Sequence, residues 1–288
     1  MQLLQKLRFC ALAGALALTA CHTAKPRPDH PRIAPGVRLQ DVTFHSAALN
    51  RDMPYRVYLP EQIPPGRKLP VVYLLHGGDG GFRDWSNNSD VGTYAAKGMI
   101  LVMIEGAFSY YMNAAERPSD RYEDYFLHDL ISDVQNRFPA STERSDRAIV
   151  GISMGGFAAL KFAMANPEMF YFVAALSPPV DILHRPFRLQ RWGEWSRIRT
   201  IFGPSESASR QSRDPIRLVQ AADPARTPYI YLSVGQSEAL YGPVRHFSAL
   251  LDQRHLPHEF HSRPGGHDWG QWNSQLSGCF AALLHPLN

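Results

Sequence analysis

Cysteine is scarce in this chain, with only Cys10, Cys21 and Cys279 among 288 residues. Cys10 and Cys21 belong to an N-terminal segment whose features point to export, which leaves Cys279 without a partner. A disulfide framework is therefore excluded as the source of stability, even in an oxidising compartment. Because 44% of the residues are hydrophobic, the chain can instead bury the core of one large domain.

A strong charge of either sign is also missing. The 30 basic and 26 acidic residues give a net charge of +4, and removal of an N-terminal signal with two basic residues leaves +2. This balance does not indicate a nucleic-acid partner. A metal site is not indicated either, because in a strand His258 and His261 of "HLPHEFH" would point to opposite faces. We expect no metal and no cofactor.

Long hydrophobic runs are absent, and the longest, "FCALAGALALTA", is too short to span a bilayer. It follows Lys6 and Arg8 and ends in small residues, as secretory signals do. The stretch "LTAC", residues 18–21, resembles the lipobox of bacterial lipoproteins. That resemblance implies cleavage before Cys21, a diacylglycerol on its thiol and anchoring in the bacterial cell envelope. In that family His22 in place of Asp implies the outer membrane, on its periplasmic side. A plain signal peptide cut nearby is the alternative.

Three regions follow from these patterns: a signal peptide at 1–20, a polar Pro-rich tether at 21–38 and one domain at 39–288. From residue 40, "DVTFHSAAL" and "MPYRVYLP" alternate in polarity and predict antiparallel strands. Continuous apolar runs predict strands covered on both faces, namely "LPVVYLLHG", "GMILVMIEG", "DRAIVGIS", "FYFVAALSP" and "TPYIYLSVG". Helical spacing recurs near 89–97, 122–138, 154–165, 243–254 and 271–284. The alternation predicts an α/β fold, with a mostly parallel central sheet flanked by helices on both faces.

Residues 178–227 interrupt that alternation. They contain prolines, tryptophans and many arginines but no clear strand, which predicts an insertion over the carboxyl edge of the sheet. The insertion is either a lid or substrate wall, or a solvated elaboration of the surface. Its arginines are compatible with an anionic substrate, with lipid headgroups or with plain exposure to water.

One serine stands between glycines where an apolar run gives way to a helical segment. The sequence "GISMG", with Ser153 at its centre, matches G-x-S-x-G at a strand-to-helix boundary, the setting of a nucleophile elbow. The flanking glycines, Gly151 and Gly155, allow neighbouring strands to approach, and the helix N-terminus favours developing negative charge. The pattern indicates Ser153 as a nucleophile.

A serine hydroxyl needs a base, and His267 in the Gly-rich stretch "RPGGHDWGQW" is the best candidate. Glu238, in "YLSVGQSEALY", follows the carboxyl end of a strand and completes the order Ser, acid, His. Asp181 is the rival acid, whereas Asp223 precedes a strand and belongs at the opposite end of the sheet.

An oxyanion requires two backbone donors. The amide of Met154, directly after the nucleophile, is one, and the loop after "VVYLLHGG" supplies the other. Gly78 is the first choice there and Gly77 the second. His76 is interpreted as a structural residue of that turn.

Four stretches resemble motifs of the esterase D-type α/β-hydrolases, a group with feruloyl and tributyrin esterases, S-formylglutathione hydrolases and mycolyltransferases. They are "LLHGGDGGFRDW", "YEDYFLHDLISDVQNRFP", "IVGISMGGFAALKFAMANPEMF" and "PGGHDWGQW". The resemblance covers roughly residues 40–285 and implies Ser153, His267 and the amides near Gly78 and Met154 in the roles given above. At the acid position the family usually has Asp, whereas this chain has Glu238. Relatives line the acyl or alcohol pocket where Tyr110 and Tyr111 stand.

These features together predict a serine carboxylesterase that acts on a small-molecule ester through an acyl-enzyme. The main alternative is acyl transfer to an alcohol or sugar. A second alternative is a non-catalytic envelope lipoprotein on a hydrolase scaffold. The sequence does not identify the ester or the oligomeric state.

Overall fold

The structure is a computed structural model, and it describes residues 28–284. The predicted signal peptide, Cys21 and residues 21–27 of the predicted tether lie outside the described residues. None of the helices within 28–284 has both the length and the apolar character needed to cross a membrane.

Eight strands form one sheet in the order β1-β2-β4-β3-β5-β6-β7-β8. β2 is antiparallel to β1 and to β4, and every other neighbouring pair is parallel. This topology confirms the predicted mostly parallel α/β sheet, including the antiparallel pair at its start. The strands are β1 (Val37–Ser46), β2 (Arg51–Pro60), β3 (Val71–Leu75), β4 (Ile100–Ile104), β5 (Arg147–Ile152), β6 (Phe172–Leu176), β7 (Tyr229–Gly235) and β8 (His258–Arg263).

Helices occupy the connections between the parallel strands. A π-helical stretch, Tyr125–Leu130, joins two of them into a continuous helical run. The helices are α1 (Asp84–Asn88), α2 (Gly92–Ala95), α3 (Tyr122–Asp124), α4 (Ile131–Arg137), α5 (Met154–Ala165), α6 (Trp192–Phe202), α7 (Ala208–Gln211), α8 (Pro215–Ala221), α9 (Tyr241–Gln253) and α10 (Trp269–Leu284).

The predicted helix at 89–97 differs from the structure, in which α1 ends at Asn88 and only the short helix α2, Gly92–Ala95, falls within that range. Ser89 is extended, with φ −137° and ψ 162°, and its hydroxyl donates to the carbonyl of Trp85. A serine that caps the backbone in this way ends a helix, which helical spacing alone does not reveal.

Two apolar clusters cover the two faces of the sheet. Along β3, Val71, Tyr73 and Leu75 belong to one cluster, and Val72 and Leu74 belong to the other. The first cluster includes residues of α4, α5, α6, α8 and α9, and the second includes residues of α1, α2 and α10. Since both faces are covered, the inner strands β3, β4 and β6 are apolar and buried throughout, as their unbroken runs predicted.

The beginning of the domain differs from the predicted tether at 21–38. β1 starts at Val37, and residues before it already lie against the domain. The buried guanidinium of Arg56 pairs with Asp29 and Asp41, both at 2.6 Å, and Tyr58 donates its hydroxyl hydrogen to the carbonyl of Arg32. A buried arginine needs carboxylate partners, so the end of the segment packs on the sheet.

The predicted insertion contains α6, α7 and α8 and, within the described chain, no strand. Ile198, Ile201 and Phe202 of α6 are buried in the first apolar cluster, so the insertion is anchored to the main core. Cys279 is a buried free thiol on α10, and burial raises its pKa.

Candidate active site

Ser153 lies at the sharp turn between β5 and α5, with a backbone φ of +50°. Its N–H donates to the carbonyl of Leu176 at 2.8 Å, which ties the turn to β6. A Cβ added at Gly151 would lie 2.1 Å from the carbonyl oxygen of Gly155, and one at Gly155 would lie 2.4 Å from that of Leu75. Only glycine fits at either position. Because neither residue has a side chain, the chain can make the sharp turn that exposes Ser153 at the end of β5.

His267 lies in the loop between β8 and α10, and its ring reaches Ser153. The distance from His267 Nε2 to Ser153 Oγ is 2.8 Å, and the imidazole is 41% exposed. A base within hydrogen-bond distance and open to solvent can take a proton from the serine and return it to a departing group.

Glu238 contacts the other ring nitrogen of His267. Its Oε2 lies 2.6 Å from His267 Nδ1, and the carboxylate side chain is only 1% exposed. Its Oε1 accepts the N–H of Gly235, the last residue of β7, at 2.7 Å. This hydrogen bond holds the loop after β7 against the end of that strand. The carboxylate fixes Nδ1 as the protonated nitrogen and leaves Nε2 free to accept from Ser153.

The rival acids lie elsewhere. Asp181 pairs with Arg185 through both carboxylate oxygens, at 2.8 and 3.0 Å. Asp223 accepts from the backbone of Ala225 in the turn before β7. The structure therefore brings Glu238, and neither aspartate, into contact with His267.

Two residues that were not predicted from the sequence, Ser177 and Trp272, complete the hydrogen-bonded arrangement around Glu238. Ser177 follows β6, and its hydroxyl donates to Glu238 Oε1 at 2.6 Å. Trp272 of α10 donates its indole N–H to the hydroxyl oxygen of Ser177 at 3.0 Å, and its ring meets that of His267 edge to face at 5.0 Å. One tryptophan thus touches both the base and the group that holds the acid. A polar residue directly after a buried strand was the available signal for Ser177.

The predicted oxyanion donors also lie close to Ser153. Met154 is the first residue of α5, so its N–H has no acceptor within the helix. Gly77 lies beside the nucleophile, since an added Cβ would be 3.5 Å from that of Ser153. Gly77 and Gly78 line the same cavity as Ser153 and His267, a recess of about 430 Å³.

Buried side chains hold the loop that carries these glycines. The ring of His76 donates from Nδ1 to the carbonyl of Gly77 at 2.7 Å and accepts the N–H of Gly106 on Nε2 at 3.0 Å. Tyr111 is fully buried, and its hydroxyl oxygen accepts the N–H of His76 at 2.8 Å. His76 therefore has the structural place that the sequence predicted, and Tyr111 lies beneath the loop and not on an open pocket wall.

Glu105, which the sequence analysis did not select, joins the two loops on this side. Its carboxylate accepts the N–H groups of Phe82 at 3.2 Å and Ala107 at 2.9 Å. Burial raises the pKa of Glu105, but the neighbouring His76 and these two backbone donors outweigh burial and hold the pKa below its usual value. The ionised carboxylate is thus favoured in the folded protein.

Tyr110 lies at the border between the site and the insertion. It is 6% exposed and has a φ of +53°. Its ring contacts those of Phe108, Phe157 and Phe202 edge to face, at 5.8, 5.3 and 5.3 Å between centroids. Phe108 also covers Gly78, where an added Cβ would lie 2.8 Å from its ring. The more accessible aromatic wall beside the glycine loop is Phe108, which the sequence analysis did not identify.

Among residues 28–284, no group of three or more His, Cys, Asp or Glu side chains could hold a metal ion. His258 instead hydrogen-bonds to Ser248, and His261 to Glu259.

Known proteins with similar sequences and structures include named esterases. An acetyl esterase from Caldicellulosiruptor saccharolyticus is 23% identical over 258 residues, covering 84% of this chain and 96% of that protein. An esterase of Mycobacterium tuberculosis is 30% identical over 275 residues, covering 85% of this chain but only 59% of its own length. The solved fluorophosphonate-binding serine hydrolase F of Staphylococcus aureus superposes with a TM-score of 0.75 at 24% identity, covering 87% of this chain and 99% of that one.

A family model covers most of the chain and includes every residue of the arrangement around Ser153. It is the model of the putative esterases, and it matches residues 46–283. The chain therefore belongs to the putative esterase family, and it has the α/β-hydrolase fold.

Proposed function

We propose that this protein is a serine carboxylesterase that forms an acyl-enzyme on Ser153 and transfers the acyl group to water. The observation that carries the proposal is the hydrogen-bonded chain from Ser153 through His267 to Glu238, with distances of 2.8 and 2.6 Å. Membership of the putative esterase family supports the same chemistry.

In the first half-reaction, Ser153 Oγ attacks the ester carbonyl carbon while its proton passes to His267 Nε2. Glu238 remains ionised and stabilises the imidazolium through Nδ1. The new C–O bond places negative charge on the former carbonyl oxygen, next to the amides of Met154 and the Gly77–Gly78 loop. Collapse of this intermediate breaks the bond to the alcohol, which leaves with the proton from His267.

The second half-reaction repeats these steps with water. His267 Nε2 takes a proton from water as its oxygen attacks the acyl carbon, and then returns the proton to Ser153 Oγ when the acid departs. The solvent exposure of the imidazole gives water access to this step. An alcohol in place of water would produce acyl transfer by the same steps.

The test is a series of initial rates on p-nitrophenyl esters from acetyl to palmitoyl and on methyl ferulate, with the Ser153→Ala variant alongside. We expect turnover on at least one ester, with a loss of about 10⁴-fold or more in Ser153→Ala. Folding of the variant is verified by circular dichroism. Turnover that survives the substitution would contradict the mechanism. Wild-type protein that releases p-nitrophenol only in the presence of an acceptor alcohol, and forms an ester with it, would indicate a transferase.

We also propose, from the "LTAC" stretch at residues 18–21, that the chain is lipidated on Cys21 and held at the periplasmic side of the bacterial envelope, in the outer membrane. Metabolic labelling with an alkyne fatty acid tests this, with Cys21→Ala as the control. Labelling of the wild type alone, in the outer-membrane fraction, is the expected result. Equal labelling of both forms, or none, would contradict it.

A further inference from the structure

The insertion displays large apolar side chains to solvent. Leu189 is 75% exposed, Trp192 57% and Phe187 51%. The rings of Phe187 and Trp192 both contact Trp195, at 5.3 and 5.6 Å between centroids. Exposed apolar side chains that cluster in this way are characteristic of surfaces that meet a partner or a membrane.

Arginines alternate with these apolar residues. Residues 181–199 contain five arginines and two acidic residues, a net charge of +3. Arg185 is neutralised by Asp181 and Glu194. Arg188 has no carboxylate within ion-pairing distance in the described part of the chain, and Arg191 has only Glu194 at 3.9 Å. The positive charges of Arg188 and Arg191 are therefore not fully balanced by neighbouring carboxylates.

An adjoining recess is lined by four arginines and one carboxylate, namely Arg185, Arg188, Arg191, Arg210 and Glu194. Arg210 is 5% exposed, donates to the carbonyl of Leu183 at 2.7 Å and leaves its Nε without a hydrogen-bond partner. No carboxylate among residues 28–284 forms an ion pair with it. Burial lowers the pKa of Arg210. A positive potential thus extends from the exposed rim into the recess.

We propose that the basic aromatic patch, defined as Phe187, Arg188, Leu189, Arg191 and Trp192, docks the domain on an anionic lipid bilayer. The two arginines bind lipid phosphates. The three apolar side chains enter the boundary between headgroups and acyl chains, where tryptophan is favoured.

The exposed apolar side chains favour a bilayer over a soluble anion. A free phosphate or an anionic ester would be served by arginines alone, and exposing Leu189 and Trp192 to water for that purpose has no benefit. A bilayer with anionic lipids uses both halves of the patch, because electrostatic attraction and apolar insertion act together there. This docking is independent of lipidation at Cys21.

The test uses the chain from residue 22, which lacks any lipid anchor but keeps the whole sheet, both apolar clusters and every described contact. It is sedimented with vesicles of phosphatidylcholine alone or with about one third phosphatidylglycerol. The charge variant is Arg188→Glu/Arg191→Glu, and the apolar variant is Leu189→Ser/Trp192→Ser. The matched control, Arg38→Glu/Arg245→Glu, makes the same charge change at exposed arginines outside the patch. Thermal unfolding verifies that each variant is folded.

We expect the wild type and the control to bind anionic vesicles roughly fivefold or more above neutral ones, and both patch variants to lose most of that binding. The absence of vesicle binding by the wild type would overturn the proposal. So would equal binding by the patch variants and the control. Selective loss of turnover on a soluble anionic ester in the charge variant, without any vesicle binding, would assign the arginines to substrate recognition instead.

Discussion

On the acid side of Ser153, side chains from three separate segments form one hydrogen-bonded chain, whereas on its oxyanion side buried side chains hold a backbone loop. The acid side consists of Glu238, Ser177 and Trp272 around His267. On the other side, His76 and Glu105 hold the glycine loop through its carbonyl and N–H groups.

Because of this difference, substitutions on the two sides should affect the catalytic rate and the stability unequally. The acid side sets the position and charge of the base, so its substitutions should lower the rate more than the stability. The oxyanion side is part of the connection between β3 and β4, so its substitutions should lower the stability more than the rate. Variants on the two sides test this division.

Among variants on the two sides of Ser153, the largest effect on rate is expected from Glu238→Gln. The amide keeps the shape of the side chain but cannot balance the imidazolium, and we expect kcat/KM to fall by about 10³- to 10⁴-fold. Asp181→Asn is the matched control, since Asp181 pairs with Arg185 and does not contact His267. Steady-state kinetics would refute the assignment if Asp181→Asn were the more damaging of the two.

A smaller effect is expected from Ser177→Ala, because Ser177 acts through Glu238 and is a positioning residue. The change removes one donor to the carboxylate and leaves the indole N–H of Trp272 without its acceptor. We expect kcat to fall by roughly tenfold with little change in KM. The control is Ser248→Ala, another buried serine, which bonds to His258 away from the site. A similar fall in kcat in both variants would mean that Ser177 is merely structural.

The smallest effect on rate, and a clear effect on stability, is expected from Glu105→Gln. Loss of the charged acceptor for Phe82 and Ala107 should lower the free energy of unfolding by about 1–3 kcal/mol at neutral pH. Because folding lowers the pKa of Glu105, its contribution is complete above its ordinary pKa of 4.5 and is lost as the pH falls through the lower folded-state value. Unfolding in urea from pH 7 down to pH 3 measures the difference. If the difference in free energy of unfolding between the wild type and Glu105→Gln increased as the pH fell, it would contradict this account.

Much of the fold and of the site could be predicted from local sequence. The unbroken apolar runs predicted β3 to β7, and the structure confirms these five, whereas the polar parallel strand β8 was not predicted. The residues predicted as nucleophile, base and acid each follow a strand, and the structure places Ser153, His267 and Glu238 in contact because parallel strands end at one edge of the sheet.

The features that could not be predicted from the sequence depend on contacts between residues that are far apart in the chain. Trp272 and Ser177 are 95 residues apart, so no local pattern relates them. The packing of Asp29 against Arg56 likewise turns the end of a polar, Pro-rich segment into part of the domain. Neither spacing nor composition shows that the hydroxyl of Tyr111 is used beneath the glycine loop, since that depends on which strands are neighbours.

The central claim is that Ser153 carries the acyl group, and pre-steady-state kinetics with p-nitrophenyl acetate tests it most directly. Rapid quenching followed by peptide mass spectrometry measures the release of p-nitrophenol and locates the acetyl group. We predict a burst that approaches one p-nitrophenol per chain when deacylation limits turnover, and an acetyl group on the peptide with Ser153. Hydrolysis that proceeds with no acetyl group on Ser153, or with acetyl on another residue on the catalytic timescale, would contradict the account.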